Sequence, residues 1–170
     1  MTQRLEVDLS QNMIPEPVDA YRVEESWFAV ADSASDRPHM ITRGLYVCKG
    51  IVIYDPLVRK GLVSHISIAD DFEADMDKLV QGFGGELGEA DVHLVQATHA
   101  SRPGWPTLSS LSDYFLAQNP RTLVTDKNIA GNSIRSISLD LSSGRVEEID
   151  MSLGWADDSH HDRSLNQRVH

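Results

Sequence analysis

Short apolar runs rich in β-branched residues recur along the chain, and only two segments of helical period interrupt them. Runs of this length and composition are typical of β-strands rather than helices. They are SWFAVA (26–31), GIVIY (50–54), GLVSHISI (61–68), VHLVQA (92–97), TLVT (122–125), SIRSISLDL (133–141) and RVEEI (145–149). Because the strands come in groups, a mixed sheet system is favoured over a strictly alternating parallel fold.

The two helical segments have clear start and stop signals. In residues 71–81 the apolar side chains recur at helical spacing, Asp70 or Asp71 can cap the start, and a glycine cluster follows. Residues 107–118 follow a proline and precede Asn119 and Pro120. The sequence therefore predicts an α+β fold, a layered mixed or antiparallel β-sheet sandwich with two covering helices.

The distribution of apolar residues indicates one folded domain. A chain of 170 residues with 41% hydrophobic content has room for one substantial core. Residues 1–20 are polar and contain Pro15 and Pro17, so they are expected to form an N-terminal arm. Residues 155–170 have little apolar periodicity and are expected to form a polar tail, which leaves residues 21–154 as the domain.

The charge of the chain limits its partners. Twenty-six acidic residues against fifteen basic ones give a formal net charge of −11, which repels the phosphates of nucleic acids and anionic lipid surfaces. No apolar run is long enough to cross a bilayer, and the first residues lack the features of a secretory signal. We therefore expect a cytoplasmic protein that binds no nucleic acid and does not insert into membranes.

Cys48 is the only cysteine, and it has two interpretations. It is either a small buried hydrophobic residue in a strand or a reactive thiol. A reactive thiol needs a base beside it, and His65 can serve if the strands on either side of the Asp55-Pro56 turn are neighbours. Strand alternation places His65 on the same face as Val63, and an isolated histidine at such a position is more often a hydrogen-bonded core residue than a base.

Other residues that could carry chemistry form weaker patterns. His93 and His99 do not have a metal-ligand spacing, and His160 and His161 lie in the acidic tail. We therefore expect neither a metal site nor a cofactor. Trp105 is expected to anchor its loop on the core, although an exposed contact for a partner is the alternative.

Three short motifs resemble one known family. They are TRGLYVC (42–48), YDP (54–56) and GLVSH (61–65). This pattern resembles the signature of the CheD family of chemoreceptor glutamine deamidases, T-L-G-L-G-S-C, a short strand, Y-D-P and G-G-x-x-H. Thr42 lies six residues before the cysteine and His65 seventeen after it, as in that signature. Weaker similarity extends over about residues 22 to 150.

The resemblance implies an activity and a role for each residue. It implies a Cys-His-Thr site, of the kind also seen in cytotoxic-necrotizing-factor deamidase domains. Cys48 would attack the side-chain amide of a glutamine in a partner protein, such as a chemoreceptor, and His65 would act as base. Thr42 would orient the imidazole, and the backbone N–H of Cys48 would stabilise the oxyanion.

Departures from the family pattern favour the first of two alternative functions. Tyr46-Val47 replaces the usual Gly-Ser before the cysteine, Lys49-Gly50 replaces Val-Ala after it, and QATHAS (96–101) stands where a glycine motif is expected. One alternative is a catalytically silent adaptor that binds a signalling protein. The other is a cysteine amidase that acts on a small molecule. For an active site, His65 and Lys49 would be expected to favour the thiolate of Cys48.

Overall fold

Two β-sheets and two α-helices build the protein in the computed structural model, which describes residues 4–9, 13–67, 71–97, 103, 105–119, 122–129, 135–154 and 158–169. The strands are β1 (Arg4–Asp8), β2 (Ala20–Val23), β3 (Trp27–Asp32), β4 (His39–Leu45), β5 (Lys49–Asp55), β6 (Lys60–Ile66), β7 (Asp91–Ala97), β8 (Leu123–Ile129), β9 (Arg135–Asp140), β10 (Val146–Glu148) and β11 (Gln167–Arg168). The helices are α1 (Phe72–Phe83) and α2 (Leu108–Gln118). Single turns of 3-10 helix lie at Met151–Leu153 and Asp158–His160.

The strands form a seven-stranded and a four-stranded sheet. The larger sheet has the order β1-β8-β7-β5-β6-β3-β11, and the smaller has the order β10-β9-β4-β2. Both are mixed, since β1 and β7 run parallel to β8 and β2 runs parallel to β4, whereas the other pairs are antiparallel. The predicted layered α+β sandwich with two helices is confirmed.

Both helices begin at the residues that the sequence indicates. The side chain of Asp71 accepts a hydrogen bond from the Ala74 N–H, and Gly84 ends α1. Thr107 caps α2 in a reciprocal capping box with Ser110. Neither these helices nor any other in the described part of the chain has the length and apolarity that a membrane crossing requires.

The core has two layers, one on each face of the larger sheet. Between that sheet and the helices pack Ile51, Ile53, Leu62, Ile66, Met76, Leu79, Leu111 and Phe115, among others. Between the two sheets pack Leu45, Cys48, Val52, Tyr54, Val63, Ile137 and Leu139, among others. The strands β5 and β6 are therefore buried on both faces, which explains their nearly continuous apolar sequences.

Both chain ends differ from the expected arm and tail. Residues 4–8 form β1, which pairs with β8, and residues 167–168 form β11, which pairs with β3. Val169 is only 1% exposed and belongs to the core between the larger sheet and the helices. The sequence did not indicate these strands because main-chain pairing at the edge of a sheet needs no apolar periodicity.

The two ends also meet over β4. Arg43 is buried in β4 and forms an ion pair with Glu16, whose side chain is buried as well. Nη2 of Arg43 also lies 3.5 Å from Nδ1 of His161, and Nε2 of His161 donates a hydrogen bond to the Pro17 carbonyl at 3.1 Å. Residues from the expected arm and from the expected tail thus form one buried polar cluster.

Candidate functional site

The structure brings Thr42, Cys48 and His65 together between the two sheets. Thr42 lies on β4 of the smaller sheet and His65 lies near the end of β6 in the larger one. Thr42 Oγ1 is 2.9 Å from His65 Nδ1. Cys48 lies in the bend at residues 46–48 that joins β4 to β5. It is therefore not in a strand, where a small buried hydrophobic residue was expected.

The strands around β6 fix the position of the imidazole. His65 pairs with Gly50 of β5 on one side and with Trp27 of β3 on the other. A Cβ at Gly50 would lie 3.2 to 3.4 Å from side-chain atoms of Leu45, Ile137 and Val95, so this position has little room for a larger residue. The residue opposite the histidine is thus small because the layer between the sheets is tightly packed there.

A β-bulge in β4 lies between Thr42 and Cys48. The pairing of β4 with β9 shifts register between Thr42 and Leu45, and Gly44 in this bulge has a φ of 82°. This left-handed conformation favours glycine, and a bulge changes the direction of the strand that contains it. The bulge therefore separates the residue that contacts the imidazole from the bend that carries Cys48.

The hydrogen bonds of Thr42 determine which nitrogen of His65 carries the proton. Thr42 Oγ1 donates its hydrogen to the Val23 carbonyl at 2.8 Å. A hydroxyl has only one hydrogen, so its contact with His65 must be a bond that Nδ1–H donates to Oγ1. In the neutral imidazole, Nε2 then has a free lone pair, and this atom is buried without a hydrogen-bond partner among the described residues.

Burial makes both reacting groups neutral in the resting protein. It raises the pKa of Cys48 to about 12, with the Glu25 carboxylate adding to the rise and Lys49 partly opposing it. Burial also lowers the pKa of His65 to about 4, although Glu25 and Glu24 act in the opposite direction. Lys49 acts in the expected direction, towards the thiolate, but burial outweighs it and keeps the pKa of the Cys48 thiol high.

The sulfur lies immediately beneath the surface. Cys48 is 5% exposed and His65 is 2% exposed, but Glu25 and Tyr46 beside them are exposed. A carboxylate oxygen of Glu25, the sulfur of Cys48 and a ring nitrogen of His65 all lie within 4.8 Å of one another. Trp105 is partly buried and packs on the core cluster that contains Cys48, which confirms its expected role as an anchor.

Glu25 is the site residue that the sequence analysis missed. It lies in the turn between β2 and β3, and the Ser26 N–H donates a hydrogen bond to the His65 carbonyl at 2.8 Å. A glutamate in a short turn usually indicates only a solvated surface. Its position beside the thiol depends on the pairing of β3 with β6, which no local pattern in the sequence predicts.

None of the other described histidines belongs to this group. His93 lies on β7 opposite Val52, His160 is exposed, and His161 belongs to the buried cluster with Arg43. His99 lies outside the described residues. Within the part of the chain that the structure describes, the one group of three or more side chains able to hold a metal is Glu25, Cys48 and His65.

No protein-family model and no curated protein matches this chain. A thiol, a ring nitrogen with a free lone pair and an orienting hydroxyl are the parts of a nucleophile–base–orienter arrangement. Such an arrangement can transfer an acyl group from an amide or an ester to the sulfur and then to water.

Proposed function

We propose that the protein is a cysteine hydrolase that converts glutamine side-chain amides of a partner protein to glutamate. The observation that carries the proposal is the pair of hydrogen bonds made by Thr42, to the Val23 carbonyl and to Nδ1 of His65. This arrangement holds the imidazole as the tautomer whose Nε2 can accept a proton, and a ring nitrogen of His65 lies within 4.8 Å of the Cys48 sulfur. The resemblance to CheD supports glutamine as the substrate.

In the first half of the reaction, Cys48 becomes acylated. As its sulfur attacks the amide carbonyl, the thiol proton passes to Nε2 of His65 and the carbonyl oxygen becomes an oxyanion, for which the Cys48 N–H is the candidate donor. The imidazolium then gives this proton to the amide nitrogen. The carbon–nitrogen bond breaks, ammonia leaves and a thioester remains.

In the second half, water cleaves the thioester. Nε2 of His65 accepts a proton from water as the oxygen attacks the acyl carbon. The carbon–sulfur bond breaks, the sulfur recovers a proton, and glutamate is released. Burial raises the pKa of Cys48 and lowers the pKa of His65, so the thiol still carries its proton when the reaction begins.

A catalytically silent adaptor is the second candidate function. The observation that favours it is the low exposure of Cys48, 5%, together with the raised pKa of its thiol. A protein that only binds a signalling partner would keep the cysteine as core filling. The two functions differ in a measurable way, because only the hydrolase releases ammonia.

The test uses peptides that each contain one glutamine among varied neighbours, with a matched set that contains asparagine. Ammonia release and the conversion of glutamine to glutamate are followed by enzymatic assay and mass spectrometry. We expect the wild type to act on the glutamine set and Cys48→Ala to be inactive. Free glutamine serves as the small amide, and a preference for it would favour the small-molecule amidase.

Three variants distinguish a loss of catalysis from a loss of folding. Thr42→Val should lower the rate at least about tenfold, because it removes the group that orients a base worth 10² to 10⁴ in rate, whereas Thr42→Ser should keep most of it. Ser64→Ala is the matched control, since Ser64 is buried next to His65 on the same strand but faces the helices. A folded wild type that releases no ammonia from any peptide would contradict the hydrolase and favour the adaptor.

A further inference from the structure

Glu25, Cys48 and His65 place three different metal-binding atoms close together. A carboxylate oxygen, a thiol sulfur and an imidazole nitrogen lie within 4.8 Å of one another. Zinc binds all three atom types, mostly as a tetrahedral ion with bonds of about 2.0 to 2.3 Å, which separates neighbouring ligand atoms by roughly 3.3 to 3.8 Å. From a separation of 4.8 Å the three atoms would need to approach one another by about 1.0 to 1.5 Å.

The histidine is already arranged as a ligand. Nε2 is buried and has no hydrogen-bond partner among the described residues, while Nδ1–H donates to Thr42. Metal-ligating histidines usually donate their second ring N–H to a neighbouring acceptor, which fixes the tautomer and the orientation of the ring. The contact with Thr42 provides this support.

The side chain of Glu25 can move to bring the three ligand atoms closer together. Glu25 is exposed in the turn between β2 and β3, so its side chain can change rotamer without disturbing the core. The neighbouring Glu24 instead pairs with Arg22 and Arg163. Of these two adjacent acidic residues, Glu25 is the one whose carboxylate lies beside the buried sulfur and imidazole.

We propose that Glu25, Cys48 and His65 bind one Zn²⁺, with water as the fourth ligand, and that the bound ion blocks the thiol. On binding, Cys48 loses its thiol proton to solvent as the sulfur–zinc bond forms, and the lone pair of Nε2 is taken by the metal. Neither the nucleophile nor the base is then free. The blocking effect rests on the proposed hydrolase function, whereas zinc binding does not.

Cobalt provides the test of binding, because a thiolate bound to Co²⁺ gives a charge-transfer absorption and a tetrahedral site gives intense visible bands. We expect both signals at one equivalent of Co²⁺ in the wild type, and their loss when Zn²⁺ is added in excess. Cys48→Ser should lack the charge-transfer band. His160→Asn, which changes an exposed histidine, should leave both signals unchanged.

Two charge-matched variants test the ligand set. Glu25→Gln and Glu24→Gln each remove one negative charge, but only the first removes a proposed ligand. We expect Glu25→Gln to weaken Co²⁺ binding at least about tenfold, the lower limit for loss of a group that supports a metal site, and Glu24→Gln to change it little. Equal affinities of these two variants, or a wild type without the charge-transfer band, would overturn the site.

Ammonia release with and without stoichiometric Zn²⁺ then tests the blocking effect. We expect the wild-type rate to fall by more than about tenfold when the site is loaded and to recover when a chelator removes the ion. A zinc-loaded protein that keeps its full rate would overturn the blocking effect. If the cobalt bands appear but the wild type never releases ammonia, zinc binding is supported and the hydrolase function is contradicted.

Discussion

His65 occupies a position where burial disfavours a charged imidazole. Its pKa is lowered to about 4 in the folded protein from an ordinary value of 6.5. Between these two values the unfolded chain binds more protons than the folded one, so stability rises with pH across this window. Conversely, the stability associated with neutral His65 is lost as the pH falls from about 6.5 towards 4.

Replacement of His65 should remove this dependence on pH. At pH 4.5 the wild type should have lost about 2 kcal/mol of unfolding free energy through this group relative to pH 7. We expect His65→Asn to lack that contribution, as measured by urea denaturation at the two pH values. His160→Asn is the control because His160 is exposed. An unchanged difference between the two pH values in His65→Asn would contradict the burial argument.

Cys48 should react slowly with iodoacetamide. A thiol with a pKa of about 12 has far less thiolate at neutral pH than free cysteine, and 5% exposure limits access as well. Mass spectrometry at pH 7 should show alkylation at least about tenfold slower than for free cysteine, and slower still in His65→Asn, which lacks the accepting nitrogen. Faster alkylation than free cysteine would indicate a thiolate–imidazolium pair and contradict the neutral resting state.

Among the helices and strands, those with capping residues or a clear apolar period in the sequence could be predicted. The two helices have capping side chains and apolar residues at helical spacing, and both were predicted with starts within one residue of the structure. By contrast, β4 (His39–Leu45) was not predicted as a strand, because it contains the buried polar residues Thr42 and Arg43. Their hydrogen-bonding and ionic partners are distant in sequence, so the local pattern looks polar.

In helix α1, helix propensity and side-chain packing predict opposite effects of one substitution on stability. Gly82 lies in the last turn of α1, and a Cβ there would lie 2.4 Å from Cε2 of Phe28, which is 2% exposed. Helix propensity favours Gly82→Ala by about 1 kcal/mol, but the clash with a buried ring should cost more. We expect chemical denaturation to show a net destabilisation of about 1 to 2 kcal/mol.

The control in the same helix is Lys78→Ala, because Lys78 is exposed. This variant should change the unfolding free energy by less than about 0.5 kcal/mol. If Gly82→Ala proved more stable than the wild type, the close packing of α1 against β3 would be contradicted.

At the scale of the whole molecule, the chain ends belong to the fold. The strands β1 and β11 form the two edges of the larger sheet, and residues from both ends meet at Arg43. The resemblance and the spacing of Thr42, Cys48 and His65 predicted three residues that the structure brings together. Glu25 could not be predicted, because its place beside the sulfur depends on the assembled sheet.

Removal of the C-terminal segment should therefore destabilise the protein. A chain that ends at residue 157 loses β11, the buried side chain of Val169 and the contact of His161 with Arg43. Burial of one valine alone contributes about 1.5 kcal/mol or more. We expect the melting temperature by calorimetry to fall by at least about 5 °C. An unchanged melting temperature would contradict the contribution of these residues to the fold and support the polar tail that the sequence predicts.

The most direct test of the central claim is the protonation state of the His65 ring, read from long-range ¹H–¹⁵N correlation spectra of the labelled protein. We expect a neutral imidazole at pH 7 with the proton on Nδ1 and a free lone pair on Nε2, since Thr42 accepts from Nδ1–H. In Thr42→Val we expect the ring proton to be distributed between Nδ1 and Nε2. An imidazolium at pH 7 would contradict the neutral resting state, and a ring that carries its proton on Nε2 would contradict the claim that this nitrogen is the base for Cys48.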